Sequence, residues 1–289
     1  MPALNGAETI TPVLRVRLLP ISSVMIESSI AFIDSGIGGL PYLDWIRSRR
    51  PDLPLVYLAD TAHFPYGDLS PEAVAEAVTH AISVLLKKGT PRLLVVACNT
   101  ASVAALDEIR ALAPCPVVGT VPAVKPAAGL DVQGPIGVLA TSGTVDSPYL
   151  DRLVSSFAPD RTVVRVAAGD IVRFVEERWL DEGDEGAYPV MERALETLTE
   201  SAVGSIVLGC THFLHLVDPI RDMVGKDIPI VDSRDGVGRR ILSLLGEDDR
   251  VRMGRDAEGA FFVTESGPSD ERYRRFAAMH GLEWNGALV

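Results

Sequence analysis

The chain has 289 residues, 47% apolar and 23% charged, and its 39 acidic side chains outnumber 27 basic ones to give a net charge of −12. This length suits about two domains of globular composition. The acidic balance argues against a nucleic-acid surface, which needs clustered Lys and Arg, and no run of about 18 uncharged apolar residues exists to span a membrane.

Residues 1–27 read as a loose N-terminal extension. Their apolar stretch is broken by Arg15, Arg17 and Pro20, and no basic residue precedes it as a secretory signal requires. From Ser29 onward short apolar runs alternate with longer amphipathic stretches. The runs at 30–33, 55–58, 93–97, 117–118, 136–140, 162–166, 206–208 and 228–231 predict buried strands, because none carries an alternating polar face. Helices are predicted between them at 40–49, 71–88, 102–112, 147–157, 188–201 and 216–224. Ser70-Pro71 is a cap followed by a first-turn proline, and Gly89 after Lys87 and Lys88 is a stop. Such alternation predicts an α/β fold with parallel sheet.

The chain also echoes itself. Residues 94–100 and 206–212 each run from a buried strand through a small residue into a cysteine and then polar groups, with Cys98 and Cys210 at matching places. Residues 30–39 and 136–145 form a second pair, each an apolar strand running into small and hydroxyl residues. Two related α/β halves facing one another is the simplest reading; the alternative is chance likeness between buried strands.

In open α/β sheets ligands sit beyond the carboxyl ends of the strands, where both cysteines fall. A cysteine between strand and helix also meets a helix N-terminus, which favours the thiolate. Cys115, in Pro114-Cys115-Pro116, lacks polar partners and reads as structural. Three cysteines without a CxxC pair suit a reducing cytoplasm and give neither a disulfide framework nor a zinc site. The loop 34–39 lacks dinucleotide spacing and a Walker lysine, but its glycines let backbone N–H groups approach a carboxylate. Asp34 either caps a helix or orients a neighbour. The turn containing Tyr66 and Gly67 offers a hydroxyl. His212, two residues after Cys210, can pass protons to it; His63, His80, His215 and His280 are assigned surface or packing roles. No metal-ligand spacing and no Schiff-base lysine pattern appear, so no cofactor is expected.

The stretches 34–39, 60–67, 97–102, 140–149 and 208–213, in order from about Ile30 to Phe262, resemble the glutamate racemases of the aspartate/glutamate racemase superfamily. The resemblance implies two pseudo-symmetric, doubly wound parallel-sheet domains with the active site in the cleft between them. Residues 28–121 with 236–289 would form the first and residues 122–235 the second. It implies that Cys98 and Cys210 are paired acid/base residues, that Asp34 assists Cys98, and that His212 and Glu176 assist Cys210. Asp34, Ser35, Tyr66, Gly67, Asn99, Thr100, Thr211 and His212 would hold the amino acid, with Thr141 and Thr144 as additions. Ala168 and Gly169 stand where the family usually has Cys-Pro before the glutamate, Leu214 where it has proline, and Arg234-Asp235 where it has small residues. The implied activity is cofactor-independent racemisation of glutamate, supplying D-glutamate for peptidoglycan, in the cytoplasm, with no nucleic-acid or membrane partner and with a homodimer left open. Other readings are a racemase for aspartate, a hydantoin or another acid, a hydrolase using one nucleophilic cysteine, and a non-catalytic binding module.

Overall fold

The computed structural model describes residues 23–245 and 259–288. The strands are β1 (Ile30–Asp34), β2 (Leu55–Ala59), β3 (Leu93–Val96), β4 (Val117–Gly119), β5 (Ile136–Ala140), β6 (Val163–Ala167), β7 (Ser205–Leu208), β8 (Ile230–Val231), β9 (Gly259–Val263) and β10 (Glu283–Ala287). They make two sheets, in the orders β10-β9-β2-β1-β3-β4 and β6-β5-β7-β8, and every neighbouring pair is parallel. The order β2-β1-β3-β4 of the first sheet recurs as β6-β5-β7-β8 in the second. Both sequence echoes fall on equivalent strands, β1 with β5 and β3 with β7.

Three apolar layers hold this arrangement. The largest draws on one face of each sheet and on the helices packed there, and includes Phe32, Tyr57, Phe174, Leu208, Phe213 and Phe261. A second packs the outer face of the six-stranded sheet, through Ile33, Val56 and Val96, on Val78 and Ile82 of the helix Pro71–Lys88 and Ile109 of the helix Asn99–Leu112. A third sets Val138 and Val207 against Val124 and Leu150, from the helices Val124–Ala128 and Pro148–Phe157. Strands covered on both faces must be apolar throughout, which is why the runs at β1, β2, β3, β5 and β7 are unbroken and fully buried. Two helices begin with the same device. Ser70 accepts from Ala73 N at 3.3 Å and Ser147 from Leu150 N at 3.1 Å, each before a proline at the first helical position.

The structure differs from the sequence expectation in several places. β6 and β8 are edge strands and are only partly buried, whereas both were expected to be buried; β6 carries Arg165 in its middle. The helix after Cys98 starts at Asn99, three residues earlier than its apolar period suggested. The helices Gly169–Glu177, Arg234–Leu245 and Asp270–Met279 and the strands β9 and β10 were not predicted. Of the proposed extension, residues 1–22 lie outside the described residues. Residues 23–28 are not loose but form a short helix, and Ile26 is buried against the first sheet's outer layer. Among the described residues no helix is long and apolar enough to cross a membrane.

Candidate active site

In each sheet the strand order reverses between the first and third strands, which opens a crevice at their carboxyl ends. Asp34 ends β1, and Cys98 follows β3 by two residues; Thr141 follows β5, and Cys210 follows β7 by two residues. Parallel register brings the members of each set together. Cys98 occupies the cap position of the helix Asn99–Leu112, with φ −125° and ψ 123°; Cys210 has nearly the same backbone, φ −135° and ψ 138°, before the 3-10 turn Thr211–Leu216. Both thiols are buried, and each lies within electrostatic reach of the other.

The two thiols have different partners. Cys98 faces the Asp34 carboxyl. Asp34 accepts from Ser35 N at 2.6 Å and from Thr211 Oγ1, across the cleft, at 2.9 Å. Burial raises Asp34 to about 6, against the opposing pull of the His212 charge and these hydrogen bonds. Burial and then the Asp34 charge push the Cys98 thiol well above its ordinary range. The helix N-terminus, through Ala101 N–H, pulls the other way and does not prevail, contrary to the sequence expectation of a favoured thiolate.

Cys210 Sγ lies 3.9 Å from His212 Nδ1, and His212 Nε2 lies 2.9 Å from Glu176 Oε2. Burial opposes charge on both members of this pair, yet their mutual attraction prevails. With Cys210 and Glu176 as its partners, His212 is held well above the usual imidazole range. With His212 and the Ile37 N–H as its partners, Glu176 is held below the usual carboxylate range. Ile37 N donates to Glu176 Oε2 at 2.9 Å, so the second half of the site grips the loop of the first. The approach is close enough to demand glycine. A Cβ on Gly36 would sit 2.3 Å from Glu176 Oε2, and one on Gly38 would sit 2.5 Å from His212 Nδ1.

Thr100, Thr141 and Thr144 form a buried hydroxyl cluster, 3.0 Å apart for Thr100–Thr141 and 3.3 Å for Thr141–Thr144. Gly67 backs onto Thr141. Asn99 is 2% exposed, and among the described residues neither polar atom of its amide has a partner.

A family model for Asp/Glu/Hydantoin racemases matches residues 43–235. The chain belongs to that family. The glutamate racemase of Treponema pallidum (strain Nichols) is 38% identical over 265 residues, which are 89% of this chain and 96% of that protein. The glutamate racemase of Sphingopyxis alaskensis is 41% identical over 222 residues, 75% of this chain and 82% of its own. A crystal structure of Escherichia coli glutamate racemase, in complex with L-glutamate and the activator UDP-MurNAc-Ala, superposes with a TM-score of 0.81 at 30% identity, covering 91% of this chain and 98% of that one.

The structure groups Cys98 with Asp34, Ser35 and Thr211, Cys210 with His212 and Glu176, and Gly67 with Thr100, Thr141 and Thr144, with Asn99 buried beside Cys98 in sequence. Asp34 caps no helix: the helix Leu40–Arg47 is entered through Gly39, and the Asp34 carboxyl turns to Ser35 and Thr211. Tyr66 differs from expectation. Its hydroxyl is not available but donates to Asp60 Oδ2 at 2.5 Å. Asp60 also accepts from Thr264 Oγ1 at 2.7 Å and meets His63 Nδ1 at 3.0 Å. Asp60 and Thr264 were missed in the sequence, as was Tyr273, whose hydroxyl faces Glu176. A carboxylate at a strand end was a usable signal for Asp60. Thr264 and Tyr273 sit in C-terminal elements that carry no motif.

Proposed function

We propose that this chain interconverts L-glutamate and D-glutamate, taking the α-proton with one cysteine and returning a proton with the other. The observation that carries the reading is the equivalence of Cys98 and Cys210. Each is a buried thiol two residues beyond the third strand of its sheet, and each meets the other across one polar cleft. A racemase must reach both faces of a carbon, and two bases from facing half-molecules do so without either crossing it. Glutamate is the substrate by likeness to relatives that bear that name and cover most of the chain.

On this reading one cysteine enters as thiolate and the other as thiol, and the roles exchange with the enantiomer. Asp34 and the His212–Glu176 pair carry the proton accounting on either side. The unpartnered Asn99 amide offers a donor and an acceptor to the amino acid, with backbone N–H groups near Ser35, Asn99 and Thr211 around its carboxylate. Tyr66 contributes its place in the turn and Gly67 its backbone. Acid–base groups alone give about 10²–10⁴-fold, so the water-poor cleft and fixed donors supply much of the remainder. Residues 28–121 with 236–289 and residues 122–235 act as two domains. The packing of the helix Arg234–Leu245 on Leu40–Arg47, with Gly238 against Trp45, supports that division. The D-glutamate would serve peptidoglycan synthesis in the cytoplasm.

The test is circular dichroism of each pure enantiomer with purified protein, repeated in heavy water. Both solutions should lose ellipticity, and early product should carry solvent deuterium while remaining substrate stays protiated. Optical stability of both enantiomers sinks the reading. Early label in both pools would replace two bases with one.

A further inference from the structure

His215 stands outside the residues assigned above but touches the frame that aligns them. It lies in the 3-10 turn Thr211–Leu216, five positions after Cys210, and its ring packs on Trp179 at 5.4 Å and edge-on to His280 at 6.1 Å. His215 Nε2 is 3.2 Å from the carbonyl oxygen of Ile37. A carbonyl only accepts, so Nε2 carries the hydrogen and the tautomer is fixed. The same carbonyl accepts from Leu40 N at 3.1 Å, so His215 fills its second lone pair. Burial, with His280 and His212 nearby, lowers His215 to about 3 and leaves the ring neutral in the working range.

Ile37 is therefore held at both polar atoms by groups that follow strands of the four-stranded sheet. Its N–H goes to Glu176 Oε2 at 2.9 Å and its carbonyl receives His215. That same carboxylate oxygen meets His212 Nε2 at 2.9 Å, and His212 Nδ1 meets Cys210 Sγ at 3.9 Å. The two peptide groups that flank the Ile37 Cα thus tie His215 to the chain of contacts that ends at Cys210.

We propose that His215 is a positioning residue for proton transfer at Cys210, holding the 34–39 loop in the register that Glu176 and His212 require. This rests on the racemase reading. Its neutrality is part of the role, since a second charged imidazole near His212 would oppose the charge that His212 carries.

The test uses the full chain and H215F, which keeps an aromatic ring on Trp179 and removes the donor, beside H215Q, whose amide N–H can still donate. Each is given both enantiomers of 3-chloroglutamate, where elimination of chloride needs only the first proton abstraction. The enantiomer served by Cys210 is the one whose elimination Cys210→Ser abolishes. H215F should slow that enantiomer about tenfold, the size of one lost hydrogen bond, and leave the other within about twofold. H215Q should recover most of the loss. Equal effects on both enantiomers, or none, overturn the positioning role while racemisation by the unmodified chain still stands. Failure of the unmodified chain to racemise glutamate overturns the underlying reading and the proposal with it. An independent measurement needs no variant: imidazole 15N NMR should find His215 as the Nε2–H tautomer without titration down to about pH 5, and an Nδ1–H form or a protonation step there would also overturn it.

Discussion

The two halves of the cleft share a backbone and differ in how they handle a proton. Beyond the third strand of each sheet stands a cysteine in the same cap conformation. At the end of the first strand stands Asp34 in one half and Ala140 in the other. Cys98 therefore has a carboxyl directly against it. Cys210 instead has an imidazole, with the carboxylate of Glu176 one step further away. Duplicated topology thus fixes where the reacting thiols lie but not their proton partners, which depend on single residues in the loops. The halves are also joined by hydrogen bonds across the cleft. Thr211 of one donates to Asp34 of the other, and Glu176 of one takes the Ile37 N–H of the other.

The largest effect should come from the thiols. Cys98→Ser and Cys210→Ser should each lower racemisation at least about 10³-fold, because a serine hydroxyl is far too weak an acid to provide a comparable base near neutral pH. The two enantiomers interconvert with an equilibrium constant of one, so kcat/KM must fall equally in both directions whichever cysteine is lost. The difference between the halves emerges only in an irreversible half-reaction. Elimination from 3-chloroglutamate should survive for one enantiomer in Cys98→Ser and for the opposite one in Cys210→Ser. Loss of both enantiomers in both variants would break the picture of independent half-sites.

Glu176→Gln should sharpen it. Gln can still accept from Ile37 N and His212, but it removes the charge that keeps His212 protonated. Elimination through Cys210 should drop about 10²-fold while that through Cys98 changes little. Equal losses would mean that Glu176 serves the loop rather than the imidazole.

Much of this contrast was legible in the sequence, because the determinants of strand and site are local. Doubly covered strands are apolar throughout, and the residues at their ends, Asp34, Cys98 and Cys210, are the ones that reach the cleft. The edge strand β6 carries Arg165 among its valines, a local signal of exposure, and how far its apolar residues are buried depends on its place in the sheet. β9 was invisible as a partner of β2 because the pairing of Tyr57 with Phe261 spans about 200 residues and leaves no periodicity. The commitment of the Tyr66 hydroxyl to Asp60, and the grip of His215 on Ile37, likewise depend on tertiary approach rather than on spacing.

Asp34→Asn tests the first half through stability. The folded pKa of Asp34 is raised from 3.8 to about 6, so between those values the folded chain holds this proton more tightly than the unfolded chain. Ionisation therefore costs stability, increasingly as pH rises through that window and then constantly above it. Asn carries no such cost and can still accept from Ser35 N. Denaturant midpoints should find the variant more stable than the parent at pH 8, by up to about 3 kcal/mol, with the gap closing toward pH 4 even as racemisation falls. A gap independent of pH would show that Asp34 does not titrate in this window.

The smallest effect should come from Tyr66→Phe, which asks whether the first half has a second carboxylate acting on its cysteine as Glu176 acts on the other. Asp60 directly follows β2, and the helix that carries Glu176 follows β6, the strand at the same place in the second sheet. Asp60, however, faces Tyr66, Thr264 and His63 rather than a partner of Cys98. Removing the Tyr66 hydroxyl leaves a buried carboxylate one donor short, which should cost about 1–3 kcal/mol of stability. The ring still fills its place in the outer layer, so the turn should loosen rather than collapse. Because Gly67 backs onto Thr141, that loosening should raise KM a few-fold and leave kcat within about twofold. Elimination should then weaken alike for both enantiomers, unlike the one-sided loss in Glu176→Gln. A one-sided loss in Tyr66→Phe would make Asp60 a proton partner of Cys98 and restore the symmetry that the loops otherwise break.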